Sequence, residues 1–302
     1  MPKVKERDKS CDHLFASGHT ACPGCGQSLA VRLVLRAAGR NVIVVNSTGC
    51  LEIFSSKYGE SSWEVPYIHS LFENIAAVAS GVESALKATG RLDDVRVIAM
   101  GGDGATADIG FGAISGMMER GHDVLYVCYD NEAYMNTGIQ RSGCTPHYAR
   151  TTTSPPGKAS LGNWRPKKDL PQIILAHGVP YVATATVGYY ADLDKKVKRA
   201  LSIRGPKYIQ VHVPCPLGWG SDSSRTIELA KIAANSGLFP LYEVDHGELK
   251  VRRFGKKIPV EEYLNMQVRF RHLFGKDGAR AEVHEIQAVA DANIEKYGLM
   301  AK

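Results

Sequence analysis

Long apolar runs are missing from this sequence: no segment of its 302 residues approaches the roughly 18 consecutive apolar residues of a membrane span. The first ten residues, MPKVKERDKS, have no apolar stretch of the kind a secretory signal needs. The cytoplasm is therefore the expected compartment. Strong charge of one sign is also lacking. The formal net charge is +6, and its densest basic clusters, 195–199 and 252–257, are short and not interleaved with aromatics. A solvated face or a subunit contact explains such clusters better than nucleic-acid binding does. Internal repeats and low-complexity tracts are absent. What remains, with 44% hydrophobic and 23% charged residues, is the composition of a globular chain large enough to bury a substantial core. Seven cysteines in a reducing compartment exclude a disulfide framework and leave metal, redox or buried thiols.

The most informative stretch is 95–137. An apolar run over 95–100 stops at Gly101-Gly102-Asp103-Gly104, a helical pattern follows, and a second apolar run over 124–129 ends at Asp130-Asn131. Two strands would finish side by side, one offering a carboxylate between glycines and the other an amide. An α/β sheet holds a divalent metal and its diphosphate in this way. The glycines let backbone approach phosphate oxygens, and the N-terminus of the following helix favours their charge. Gly-Asp-Gly alone is equally an ordinary tight turn. The paired strand ends favour the metal-diphosphate reading.

Elsewhere the periodicity predicts a helix over 26–38, a buried strand over 41–46 and a helix rich in small residues over 72–87. A long functional loop over 138–168 follows, with no sustained period. Helix 171–177, strand 181–187, helix 192–203 and strand 208–213 complete an α/β pattern. The domain expectation is an α/β unit over 1–220 and a C-terminal arm over 221–302, a hairpin and then a helix lying over the core or a partner.

Cys22-Pro23-Gly24-Cys25, Cys50 and Cys215 all fall in loop-like positions bracketed by glycine or proline. Their thiolates could converge on one point, as a [4Fe-4S] cluster or a structural zinc requires. A thioredoxin-like dithiol is less well supported, because GHTA rather than a buried strand precedes Cys22. Cys128, inside an apolar run, reads as packing. Cys11 reads as incidental, and Cys144 as near the site without an obvious base beside it.

Taken in order, GHTACPGCG at 18–26, NSTGC at 46–50, PYIHSLFEN at 66–74, GGDG at 101–104, DNEAYMNTG at 130–138, TTTSPPGK at 151–158 and PCPLGW at 214–219 resemble the thiamine-diphosphate-binding beta subunit of 2-oxoacid:ferredoxin oxidoreductases, the pyruvate enzymes above all. The resemblance covers nearly the whole chain. It implies an α/β thiamine-diphosphate-binding fold, a largely parallel sheet flanked by helices with a C-terminal extension. It implies that Cys22, Cys25, Cys50 and Cys215 bind a [4Fe-4S] cluster. Asp103, Asn131 and the carbonyl of Ala133 would bind Mg²⁺; the family often has Thr where Asn131 stands, another neutral oxygen donor. Gly102 and Gly104, Ala105 and Thr106 would face the diphosphate, with Thr48, Cys50 and His69 also among the cofactor-binding positions. Asn136 would be catalytic, near the reactive carbon and the substrate carboxylate. A histidine placed like His69 is more often structural than catalytic. Cys144 replaces the small Ser or Ala expected there.

The resemblance further implies oxidative decarboxylation of a 2-oxoacid, pyruvate first, to acyl-CoA and CO₂, with electrons leaving through the cluster to ferredoxin. The carboxylate that activates thiamine is missing from this chain. A separate alpha subunit would supply it with the pyrimidine-binding domain, beside gamma and delta-type ferredoxin-like subunits. Coenzyme A is an expected co-substrate. Competing readings are the same chemistry on a branched-chain, aromatic (phenylglyoxylate-like) or oxalate substrate, a non-redox thiamine enzyme, and a zinc-stabilised non-catalytic subunit.

Overall fold

The computed structural model describes residues 13–275 and 280–301. Cys11 lies outside the described residues. The chain opens with α1 (Gly26–Ala38), β1 (Val42–Ser47), the short helix α2 (Cys50–Ser55), β2 (Tyr67–Ser70), α3 (Ile75–Ala88), β3 (Arg96–Gly102), α4 (Phe111–Glu119) and β4 (Val124–Asp130). A long irregular segment follows, carrying the two-residue strands β5 (Pro156–Gly157) and β6 (Ser160–Leu161). Then come α5 (Leu170–Leu175), β7 (Tyr181–Thr186), α6 (Tyr190–Ser202), β8 (Lys207–His212), the single turn α7 (Pro216–Trp219) and α8 (Thr226–Asn235). The hairpin β9 (Tyr242–Asp245) and β10 (Glu248–Val251), α9 (Val260–Asn265) and α10 (Arg280–Tyr297) end the chain.

Eight strands form one sheet in the order β10-β9-β7-β8-β4-β3-β1-β2, parallel except for the β9–β10 hairpin. Alternating side chains feed two cores. Ile98 and Met100 of β3 and Leu125, Val127 and Tyr129 of β4 enter the core shared with α1 and α6. Val97 and Ala99, with Val124, Tyr126 and Cys128, enter the opposite core, against α3 and α4. Helices on both faces explain why the central strands read as continuous apolar runs.

From β1 the chain moves outward to β2, then returns across to β3 on the other side. The crevice where strand order reverses lies beyond the carboxyl ends of β1 and β3, the general place for a ligand in such sheets. The registers align those ends: Asn46 pairs with Met100, Gly102 with Tyr129 and Asp130 with His212.

Two expectations change. The hairpin after 220 does not lie over the core as an arm; β9 pairs antiparallel with β7 and extends the sheet, with Tyr242 buried at its start. Helix α3 begins at Ile75 rather than residue 72, because residues 71–74 form the turn that leaves β2. The edge strand β2 and the short α2 went unpredicted, each being too brief to show a period. No helix among the described residues is long and apolar enough to cross a membrane.

Candidate active site

Strand β3 ends in the glycine turn, and each residue there has a different task. A methyl group on Gly102 would meet nothing within 4 Å, so its Cα faces open space. On Gly104 the same methyl would fall 2.3 Å from the Tyr134 ring, whose hydroxyl donates to the Gly104 carbonyl at 3.0 Å. Glycine is obligatory there because an aromatic ring lies on the backbone. The chain then widens into one π turn over Ala105–Ile109 before α4, a distortion often found at functional sites. The Thr106 side chain bonds back to the Gly102 carbonyl at 2.7 Å and to the Tyr126 hydroxyl at 3.1 Å. It is wholly buried and faces the sheet, so any contact with a diphosphate would come from its backbone N–H.

Asp103 is fully buried and accepts a hydrogen bond from Ser142 Oγ. The amide oxygen of Asn131 lies 2.9 Å from Asp103 Oδ1 and 2.9 Å from the Ala133 carbonyl. Three polar groups thus converge within hydrogen-bond distance. Rotating the amide would supply two N–H donors, and a bound cation would satisfy the same oxygens without rotation. An octahedral Mg²⁺ with oxygens at 2.0–2.1 Å sets neighbouring oxygens about 2.9 Å apart, so the observed spacing fits that ion. Charge balance points the same way. Asp103, Asp130 and Glu132 are buried, and among the described residues the cations bonded to this group are the half-buried Lys167 and the buried Arg269. Burial, and then Asp130, push the Asp103 carboxyl well above the usual carboxylate range. A nearby cation would restore its charge.

The pair bonded to Lys167 shows how finely the two carboxylates differ. Lys167 Nζ sits 2.7 Å from both Asp130 and Glu132. Burial raises Asp130, whereas at Glu132 the opposing pull of Lys167 and Arg269 exceeds burial and holds the acid down at about 2. His212 is pushed down to about 3 by burial and is neutral at pH 7.

One cleft brings together Thr48, Cys50, Gly102, Asp103, Gly104, Ala105, Asn131, Ala133 and Asn136. His69 reaches it only indirectly, through Nε2 at 2.9 Å from Thr48 Oγ1. Asn74 accepts from Ser70 Oγ ahead of α3. Cys128 and Cys144 are fully buried. Cys144 lies behind the grip with Asp103 and Asp130, and burial pushes its thiol up.

The other cysteines meet at the cleft's edge. Cys25 N donates to the Cys22 carbonyl at 3.0 Å, closing the CPGC turn, and Gly26 N donates to the Pro214 carbonyl at 3.1 Å, joining that turn to Cys215. Cys50 opens α2 and is pushed up to about 12, by burial first and then by Cys215, Cys25 and Cys22. Cys215 is pushed up to about 11 by burial. Among the described residues, the only trio of metal-ligating side chains with atoms within 4.8 Å of one another is Asp103, Asp130 and Cys144.

Sequence reasoning missed Gln27, Phe72, Tyr134 and Met135, which also line the cleft. Gln27 is buried with Oε1 unpartnered. Its signal was available: an amide directly after CPGCG, on a helix face otherwise apolar. Lys167 and Arg269 carried no local signal.

Residues 47–211 match the family described as thiamine pyrophosphate enzyme, C-terminal TPP binding domain. The pyruvate synthase subunit PorB of Methanosarcina barkeri is 56% identical over 94% of this chain and 97% of its own length. That of Methanocaldococcus jannaschii is 52% identical over 95% and 97%. The ketoisovalerate oxidoreductase subunit VorB of Pyrococcus abyssi is 46% identical over 87% of each. A solved 2-oxoglutarate:ferredoxin oxidoreductase from Magnetococcus marinus shares the fold, with a TM-score of 0.59 at 22% identity over 89% of this chain and 95% of that one.

Proposed function

Because the chain belongs to the thiamine pyrophosphate enzymes and, within them, to the family of pyruvate synthase PorB subunits, we propose that it is the thiamine-diphosphate-binding subunit of a 2-oxoacid:ferredoxin oxidoreductase acting on pyruvate. Asp103, Asn131 and the Ala133 carbonyl hold Mg²⁺ in this reading. Gly102, Gly104 and the backbone of Ala105 and Thr106 cradle the diphosphate, and Cys22, Cys25, Cys50 and Cys215 hold a [4Fe-4S] cluster. Residues 1–220 carry these sites, and 221–302 form an extension, its hairpin joined to the sheet edge, that packs on the core or on a partner subunit. Bound there, thiamine diphosphate supplies a nucleophilic carbon and an electron sink for loss of CO₂, Mg²⁺ anchors it, and the cluster is the electron exit.

The observation that carries the redox reading is Cys50. It lines the same cleft as Asp103 and shares its surroundings with the other three cysteines. A non-redox thiamine enzyme has no use for that juxtaposition. Thr48, steadied by His69, and the exposed amide of Asn136 line the open side of the cleft. From there Asn136 can donate to a substrate carboxylate. An alpha subunit closes that side with the thiamine-activating glutamate, in a complex with gamma and delta-type subunits that pass electrons to ferredoxin and acyl groups to coenzyme A.

The test is viologen or ferredoxin reduction by the anaerobically purified complex across a panel of 2-oxoacids. Pyruvate is expected to lead. The ketoisovalerate relative makes a branched-chain 2-oxoacid the second reading. Absence of any response to pyruvate would sink the first. The isolated chain, lacking the glutamate, is expected to be inactive.

A further inference from the structure

The residue between two of the grip's oxygens is the least comfortable in the neighbourhood. Glu132 has φ of 69°, a left-handed backbone that glycine adopts freely and glutamate does not. That conformation lets Asn131 and Ala133 turn an amide and a carbonyl oxygen to the same side, 2.9 Å apart. Glycine would relieve the strain. It would also strand the buried Arg269 and take one of two carboxylates from Lys167, because the Glu132 carboxylate bonds Arg269 at 2.5 Å and Lys167 at 2.7 Å. The Glu132 carbonyl is fixed separately, by Thr145 Oγ1 at 2.8 Å.

Arg269 comes from far outside the cofactor-binding segment, in the 3₁₀ stretch Val268–Phe274 after α9. It is buried, oriented by Gln267 Oε1 at 2.8 Å, and its guanidinium lies 3.9 Å over the Trp219 ring. Trp219 in turn donates from Nε1 to the Asn131 carbonyl at 2.8 Å and from its backbone N to the Cys215 carbonyl at 2.8 Å. Trp219 therefore bonds a residue of the oxygen grip with its indole and a residue of the cysteine quartet with its backbone.

We infer that Glu132 and Arg269 are positioning residues: Glu132 holds the strained turn that aims the Asn131 and Ala133 oxygens at the metal, and Arg269 clamps that turn, through Trp219, to the loop bearing Cys215. The inference rests on the Mg²⁺ assignment above. Neither residue touches the metal or the cofactor. Each acts by removing alternatives, as outer partners of metal ligands do.

The test uses the intact complex, stripped with chelator and resupplied with saturating thiamine diphosphate, with Mg²⁺ binding followed by calorimetry without substrate. Glu132→Gln keeps the shape and removes the charge. It is expected to weaken Mg²⁺ binding roughly 10- to 100-fold. In turnover the loss should appear as a raised Mg²⁺ requirement that excess Mg²⁺ overcomes. Arg269→Lys keeps the charge and loses the planar stack, so it should fall between Glu132→Gln and the parent. If Glu132→Gln does not assemble, Arg269→Lys decides. Mg²⁺ affinity within twofold of the parent in an assembled variant, even with a lowered melting temperature, overturns the inference, because the pair would then serve the fold alone. A parent complex that binds thiamine diphosphate without any Mg²⁺ overturns the underlying assignment instead.

Discussion

The oxygen grip and the cysteine quartet lie at the same cleft and are built by opposite means. The grip stands on the ends of two adjacent central strands, is sealed from water, and is held by buried ion pairs and a strained turn. The quartet is drawn from three separate loops, is partly exposed, and is held by backbone hydrogen bonds and glycine or proline turns. A small hard cation needs a fixed cage with oxygens at one distance. A cluster brings its own rigid framework, so the protein need only deliver sulfurs to its corners. On the proposed assignment, one site is shaped by the protein around its ion and the other by its cluster around the protein.

That contrast can be broken from either side, and the largest effect belongs to the quartet. Cys50→Ala should abolish the visible absorption of the cluster and electron delivery to viologen. Calorimetry should find Mg²⁺ binding still within about threefold, since none of the three proposed oxygen ligands is changed. Loss of both together would merge the two sites into one unit. Next in size is Asp103→Asn, which should lower activity by roughly 100-fold or more, as loss of a metal ligand does. The metal-free chain should meanwhile be more stable by about 1 kcal/mol, because a buried carboxylate without a cation is a burden to the fold. An apoprotein with a lowered melting temperature would contradict this.

The two glycines give a smaller, paired effect. Gly104→Ala drives a methyl into the Tyr134 ring and should destabilise the fold by about 1–3 kcal/mol. Gly102→Ala meets no protein atom and should leave the melting temperature unchanged while weakening thiamine diphosphate binding. Equal thermal effects would remove the distinction between a packing glycine and a ligand-facing one.

The smallest effect is a slope with pH. The folded His212 titrates at about 3, against about 6.5 in the unfolded chain. Between those values the unfolded chain binds the extra proton, so stability falls as pH falls, by up to about 1.4 kcal/mol per pH unit. Glu132 adds the same sign only below its ordinary value of 4.5, down to about 2. Melting curves between pH 6.5 and 4.5 should therefore flatten in His212→Gln, and an unchanged slope there would assign it to another group.

Legibility in the sequence followed the same divide. The cysteines were visible because residue type and neighbouring glycine and proline mark them locally. Asp103 and Asn131 were legible because apolar runs of strand length end at them, whereas Ala133 entered only through the family resemblance. The supports of the grip were not visible: Lys167 lies in a loop without period and Arg269 in the C-terminal segment, and only the closed sheet brings either to Glu132. The outward-facing expectation for Thr106 did not hold for its side chain, because a π turn rotates it toward Tyr126. The C-terminal hairpin was recognisable as a hairpin, but nothing local says which sheet edge it joins.

If the four cysteines hold the proposed cluster, the hydrogen bond from Gly26 to Pro214 bears on when it can be inserted. A methyl group on Gly26 would lie 2.9 Å from the Pro214 backbone, so the CPGC turn and Cys215 meet at close quarters. That meeting waits until β8, the last parallel strand to be synthesised, has taken its place beside β4. A nascent chain stopped short of that point offers three sulfurs and no fourth. Insertion of iron and sulfide would then be a late event, open only to chains whose sheet has closed, and colour in the purified protein would double as a certificate of folding.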